Sequence, residues 1–232
     1  MSSFNAYLYA LGVAKQFLPD EYRLENNQLT IPVSFILSRM PNGAVLSKFG
    51  EDVWDFSPYL PNCDCKLSFK SWFKNAHEDD FLFCQIRAEM KKIIFALLYI
   101  KTDKSIIKSI EQRHIVLRQF ARLAYKNGCT LQQLFRDVAY MSKVNDAYVG
   151  VSYQTAIHIK AFLSDCFELQ QQYPLLIPAF NEYNSIEYLK KIAAQLRLQS
   201  SKVGPQTKLI PSRIYIALIN SLAEKLNEFN QH

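Results

Sequence analysis

The sequence predicts a mainly α protein: a helical bundle preceded by an irregular N-terminal arm with at most a short β element. Three observations carry this. Breakers are scarce, with six glycines and nine prolines in 232 residues, which leaves room for long helices and excludes collagen-like and disordered compositions. Hydrophobic residues make up 49% of the chain, enough for one sizeable core or two small ones. Apolar residues recur at steps of three and four from residue 80 onward, whereas the first eighty residues hold no sustained period.

Taken in chain order, the arm spans residues 1–79. Its opening "MSSFNAYLYALGVAKQF" lacks a basic start followed by an apolar stretch, so it does not read as a signal peptide. "NQLTIPVSFIL" is β-branched and apolar enough for a short strand, which Pro32 restricts to an edge. "GEDVWDFSPYLPNCDCKLSFKSWF" mixes aromatics with turn residues and reads as an ordered arm laid over a helical core.

A bundle of five helices is expected over residues 80–199. In the first, residues 80–99, Phe81, Cys84, Ala88, Lys91/Lys92, Phe95 and Leu98 fall at helical steps, with acids at the start and lysines later, as the helix dipole favours. The second starts from Ser105 as N-cap and stops at Asn127-Gly128. Ile106, Ile110, Leu117, Phe120, Ala121 and Ala124 share one of its faces, interrupted only by Arg113. On another face Lys104, Lys108, Arg118, Arg122 and Lys126 fall within an arc of about 80°, at about 100° per residue. Glu111 and Ile115 interrupt that stripe. "TLQQLFRDVAYM" opens with a capping box, Thr130 and Gln133. "SYQTAIHIKAFLSDCFELQQQYP" forms a helix ended by Pro174, and "SIEYLKKIAAQLRLQ" forms one more. "SSKVGPQTK" (200–208) reads as a linker. The stretch that follows it, residues 209–232, forms a final helix. That helix either begins a further domain or folds back on the bundle through Ile214, Leu218, Leu222 and Leu226.

The formal charge of +6 is uneven. Residues 1–100 carry 10 basic and 11 acidic side chains, residues 101–232 carry 17 and 10, so the halves stand at −1 and +7. An anionic partner is therefore sought in the C-terminal half, with the basic stripe on the second helix as its contact surface. The most apolar run, "IIFALLYI" (93–100), is too short to span a bilayer, and a membrane partner is not expected. Cys63, Cys65, Cys84, Cys129 and Cys166 show no repeating spacing. The lone "CDC" lacks the second ligand pair that a zinc site needs. Reduced, mostly buried thiols in a cytoplasmic protein are expected, with no metal, no cofactor and no small-molecule substrate.

No common catalytic motif is present: no G-x-S-x-G elbow, no phosphate-cradling glycine loop, no H-E-x-x-H. Asp79-Asp80 is read as a dipole-compensating cap rather than an acid pair. His114 and His158 are read as packed or half-exposed histidines with no nucleophile beside them.

The order of segments then suggests a relationship. "WDFSPY", "KLSFKSW", a long helix, "TDKSIIKSIEQRHIVLRQFARLAYKNGCTLQQLFRD" and "IPSRIYIALINSL" together resemble the N-terminal part of large tyrosine recombinases of the phage-integrase type. The resemblance runs from about Phe49 to the C-terminus. It implies a SAM-like core-binding domain at about residues 101–173 that clamps double-stranded DNA, alone or beside other recombinase protomers. The DNA contacts would be Lys104, Lys108, Arg118, Arg122, Lys126 and Lys160, positioning phosphates without reading bases. It further implies a bacterial or phage-encoded, DNA-associated protein. The departure from the family is in the chemistry. Recombination requires a His-x-x-Arg segment and a later tyrosine nucleophile. Here His77 is followed by "EDD", His158 by "IKA", and "HIVLR" at His114 is one residue too long. The chain is accordingly expected to be non-catalytic, either a fragment of a longer recombinase or a relative without the catalytic half. The competing expectation is a helical protein-interaction module whose basic face is merely solvated; an enzyme with an unrecognised site ranks third.

Overall fold

In the computed structural model, the described residues are 3–24, 30–60, 64–73, 79–101, 106–137, 139–140, 152–173 and 194. The chain divides into two compact units, Met1–Ala194 and Gln195–His232, and every described residue lies in the first. The expected fifth bundle helix (apart from Ala194, which is helical), the "SSKVGPQTK" linker and the final helix lie outside the described residues.

The described part is mainly helical with two small antiparallel sheets. Its helices are α1 (Ser3–Ala10), α2 (Phe81–Tyr99), α3 (Ile106–Lys126), α4 (Leu131–Arg136) and α5 (Tyr153–Gln172). Strands β1 (Ile36–Arg39) and β2 (Val45–Lys48) pair in one sheet; β3 (Val53–Asp55) and β4 (Lys66–Ser68) pair in the other. The β content exceeds the single short element expected from sequence. Strands of three and four residues are too short to show a period of two, and turns separate them. Within "NQLTIPVSFIL" the chain turns at Pro32, whose carbonyl accepts from Phe35 N–H, and the strand starts only at Ile36. The first residues, expected to be irregular, form α1, whose Phe4 and Leu8 are fully buried.

The arm supplies part of the core instead of covering a finished one. Trp54, Phe56, Tyr59, Leu67, Phe69 and Trp72 are all buried. Phe4 meets Phe56, Tyr59 and Tyr99 edge-on, and Phe35 meets Phe95 and Tyr99 in the same way. Edge-to-face pairs of this kind add about 0.5–1.5 kcal/mol each beyond area burial. The Tyr59 hydroxyl ties the arm's loops together: it donates to Phe17 C=O and accepts from Arg39 N–H, both at 2.8 Å.

α2 starts where the sequence places it. Asp80 is the N-cap, its carboxylate accepting from Leu82 and Phe83 N–H. Of the residues set at helical steps, Lys91, Phe95 and Leu98 are buried. Phe81 is 80% exposed and Ala88 is exposed, while Phe83, Ile86, Met90, Ile93, Ile94 and Leu97 face inward. Two apolar stripes interleave in this sequence, and the position of the arm selects between them. From Ile93 to Tyr99 every residue is buried, because α2 is surrounded there by α1, the arm, α3 and α5.

α3 ends as its sequence dictates. Gly128 takes φ +64°, Cys129 N–H donates to Ala124 C=O, and Gly128 N–H donates to Tyr125 C=O, the paired bonds of a Schellman motif. The Thr130/Gln133 capping box is formed. α4 is shorter than the segment expected from "TLQQLFRDVAYM". It ends at Arg136 because Asp137 turns extended, and the Asp137 carboxylate accepts from Ala139 N–H. α5 runs from its Ser152 cap to Tyr173, immediately before Pro174. No helix among the described residues is long and apolar enough to cross a membrane.

Candidate nucleic-acid interface

The apolar face of α3 packs as expected: Ile110, Leu117, Phe120, Ala121 and Ala124 are fully buried. Arg113, which breaks that face in sequence, proves to be part of the packing. Its Nε donates to Asp165 on α5 at 2.5 Å, and Lys101 binds the other oxygen of the same carboxylate. Lys101 also pairs with Glu168 at 3.0 Å. Burial opposes the Lys101 charge, but its bonds to Asp165 and Glu168 prevail and raise its pKa.

The polar side of α3 holds three of the six expected DNA contacts. Arg118, Arg122 and Lys126 follow one another at steps of four, so they stack along one side of the helix. Lys104 lies outside the described residues, and so does the side chain of Lys108, although its backbone belongs to α3. Lys160 is exposed on α5, a different helix.

Two of the three arginine and lysine side chains in the row are held by the arm. After β4 the chain turns through Phe69–Phe73. Trp72 is fully buried there, stacked on Phe83 with ring centroids 4.7 Å apart. This anchoring leaves the carbonyls of Ser71 and Trp72 facing α3. Arg118 Nη2 donates to Ser71 C=O at 3.0 Å, and Arg122 Nε donates to Trp72 C=O. With Nε engaged, Arg122 keeps its two terminal nitrogens for another acceptor, in an orientation already fixed by the fold.

The electrostatics follow from what surrounds this row. Both acceptors are neutral carbonyls, so the arginine charges are oriented without being cancelled. Among the described residues, no ion pair includes Arg118, Arg122 or Lys126. The sequence supplies no acid between Glu111 and Asp137. His114, one turn before Arg118, is buried against the Phe69 ring and hydrogen-bonded to the Ser68 main chain. Burial, with the Arg118 charge added, pushes its pKa down to about 3, so it is neutral at physiological pH. Burial, and after it the neighbouring Arg122 charge, lower the Arg118 pKa.

A second group of cations escaped the sequence reading. Lys91 is buried, and its ammonium donates to Gly50 C=O at 3.0 Å and to Asp52 at 2.9 Å. Arg87 and Lys70 approach the other Asp52 oxygen at 3.2 and 3.4 Å. Burial opposes ionisation of Asp52, but Lys91, Arg87 and Lys70 outweigh it and hold the carboxyl below its usual range. In sequence Lys91 is indistinguishable from a dipole-compensating lysine, since its partner lies 39 residues earlier. Since Lys70 precedes Ser71, this cluster and the α3 row meet at the same turn of the arm.

The remaining candidates have structural places. Asp80 caps α2 and also accepts from the Tyr125 hydroxyl. His158 is partly exposed on α5, 3.0 Å from the Gln154 side-chain nitrogen. Cys65, Cys129 and Cys166 are buried, Cys84 is half-buried, and Cys63 lies outside the described residues.

No family model, curated protein or solved structure matches the chain.

Proposed function

We propose that this chain is a non-catalytic region that binds double-stranded DNA through the cationic side of α3, in the manner of the SAM-like core-binding region that precedes the catalytic domain of phage-integrase-type tyrosine recombinases. The observation that carries the reading is the uncancelled charge of Arg118, Arg122 and Lys126, with both guanidinium groups fixed by neutral carbonyls of the arm. A merely solvated basic face needs no such fixing, because flexible side chains in water cost less entropy. Arginines held in place lose less freedom on meeting a phosphate, so more of each contact appears as affinity. The contacts go to phosphate and therefore position the duplex without reading its sequence. A DNA-associated, cytoplasmic setting and association with further protomers on DNA belong to the same proposal.

The competing reading, a protein-interaction module, rests on the exposed Phe81 at the start of α2. Charge reversal separates the two. Lys126→Glu and Lys160→Glu, both at exposed positions, should weaken duplex binding in fluorescence anisotropy, equally for unrelated sequences. Lys15→Glu, exposed on the arm, should leave it unchanged. Equal loss in all three variants, or no loss in Lys126→Glu, would overturn the DNA reading.

A further inference from the structure

Beyond DNA binding, the cluster around Asp52 sets several cations against a single carboxylate. One carboxylate is shared by Lys70, Arg87 and Lys91, and Lys92 follows directly. Arg87 and Lys91 lie one turn apart on α2, a like-charge spacing that destabilises a helix. Lys91 is nine-tenths buried, where an unbalanced charge is most costly. Glu89 offsets Lys92 in part, but its carboxylate accepts from Leu131 N–H at 2.8 Å and caps α4.

A pocket of about 240 Å³ opens at this cluster. Arg87, Lys91 and Lys92 form its cationic side, and Val33 and Phe49 contribute apolar wall. Among the described residues no acid lines it. Gly50 closes one side by bringing two turns of the arm together: its N–H donates to Val33 C=O at 2.9 Å, and a Cβ at Gly50 would stand 2.9 Å from that oxygen. Surplus charge beside a small apolar wall matches an anion carried on a short carbon body.

We propose that this pocket binds a small phosphorylated molecule, its phosphate held by Arg87, Lys91 and Lys92 and its body against Val33 and Phe49. A phosphate offers the several acceptor oxygens that a guanidinium and two ammonium groups together demand. The recess is concave and small, which suits a metabolite and not a duplex whose phosphates lie on a convex rod.

The test uses the full chain and inorganic pyrophosphate as probe. Calorimetric titration, with sodium chloride matched in ionic strength, should show saturable one-site binding and a rise in thermal midpoint that chloride does not reproduce. Lys92→Gln, an exposed position, should raise the Kd about tenfold, the effect of losing one charge-assisted contact. Arg87→Gln should do the same while Lys91 and Lys70 still neutralise Asp52. Lys126→Gln on α3 should titrate like the parent. The proposal is overturned if chloride gives the same midpoint rise, if Lys92→Gln and Arg87→Gln bind as the parent does, or if Lys126→Gln loses as much.

Discussion

Asp165 holds two cations at once, Lys101 and Arg113, with the three side chains only 10–12% exposed. Removing the carboxylate leaves Arg113 without its acid and Lys101 with Glu168 alone. Asp165→Ala should therefore cost about 3–5 kcal/mol in urea unfolding, the range for breaking a buried pair from one side. His114 makes a different residue-scale prediction. Its folded pKa of about 3 lies below the ordinary 6.5, so between those values the unfolded chain takes up a proton that the folded chain refuses. The stability contributed by neutral His114 is full above pH 6.5, declines as pH falls, and is gone below about 3. His114→Gln keeps a donor for Ser68 but does not titrate. Measured from pH 7 to pH 4, the parent should lose a few kcal/mol more than the variant; parallel curves would contradict the assignment. A packed His114 was legible in the sequence, but the Asp165 pairing was not: Arg113 reads as a flaw in an apolar face because its partner lies 52 residues away.

At the scale of elements, short-range chemistry was legible and pairing was not. The Asp80 cap, the Gly128 stop and the Thr130/Gln133 box each depend on residues within five positions of one another, and all three are formed. Thr130→Ala should lower stability by about 1 kcal/mol in chemical denaturation, since the Gln133 N–H loses its acceptor. Gly128→Ala should cost about as much, from the strain of placing a Cβ at φ +64°. Little or no effect of Gly128→Ala would mean that α3 ends differently. One short strand was expected in the arm; the others were missed because their register is set across turns and by burial of Trp54 and Leu67, not by a repeating pattern. Which face of α2 is buried was left open by the sequence for a related reason. With apolar residues on two adjacent stripes, only the docking of the arm decides which one is covered.

Across the whole described unit, the arm sets both the packing and the electrostatics. Its aromatics fill the core beside α2, and its turn at Ser71-Trp72 orients the arginines of α3. The charge stripe itself was visible in the sequence; that its arginines are fixed by carbonyls 47 and 50 residues earlier was not. Most basic side chains elsewhere in the described unit that face acids are neutralised there, as Arg39 is by Asp20 at 3.3 Å and Lys66 by Asp55 at 3.7 Å. On α3, among the described residues, the arginine charges are ordered by neutral carbonyls and paired with no acid, and that is the property a phosphate backbone responds to. Its most direct test is the affinity of the full chain for a short DNA duplex across a salt series. Log Kd should rise linearly with log salt concentration, with a slope of several units, and Lys126→Ala should reduce that slope by about 1. No binding at low salt, or a slope that Lys126→Ala leaves unchanged, would contradict the assignment of this face to DNA.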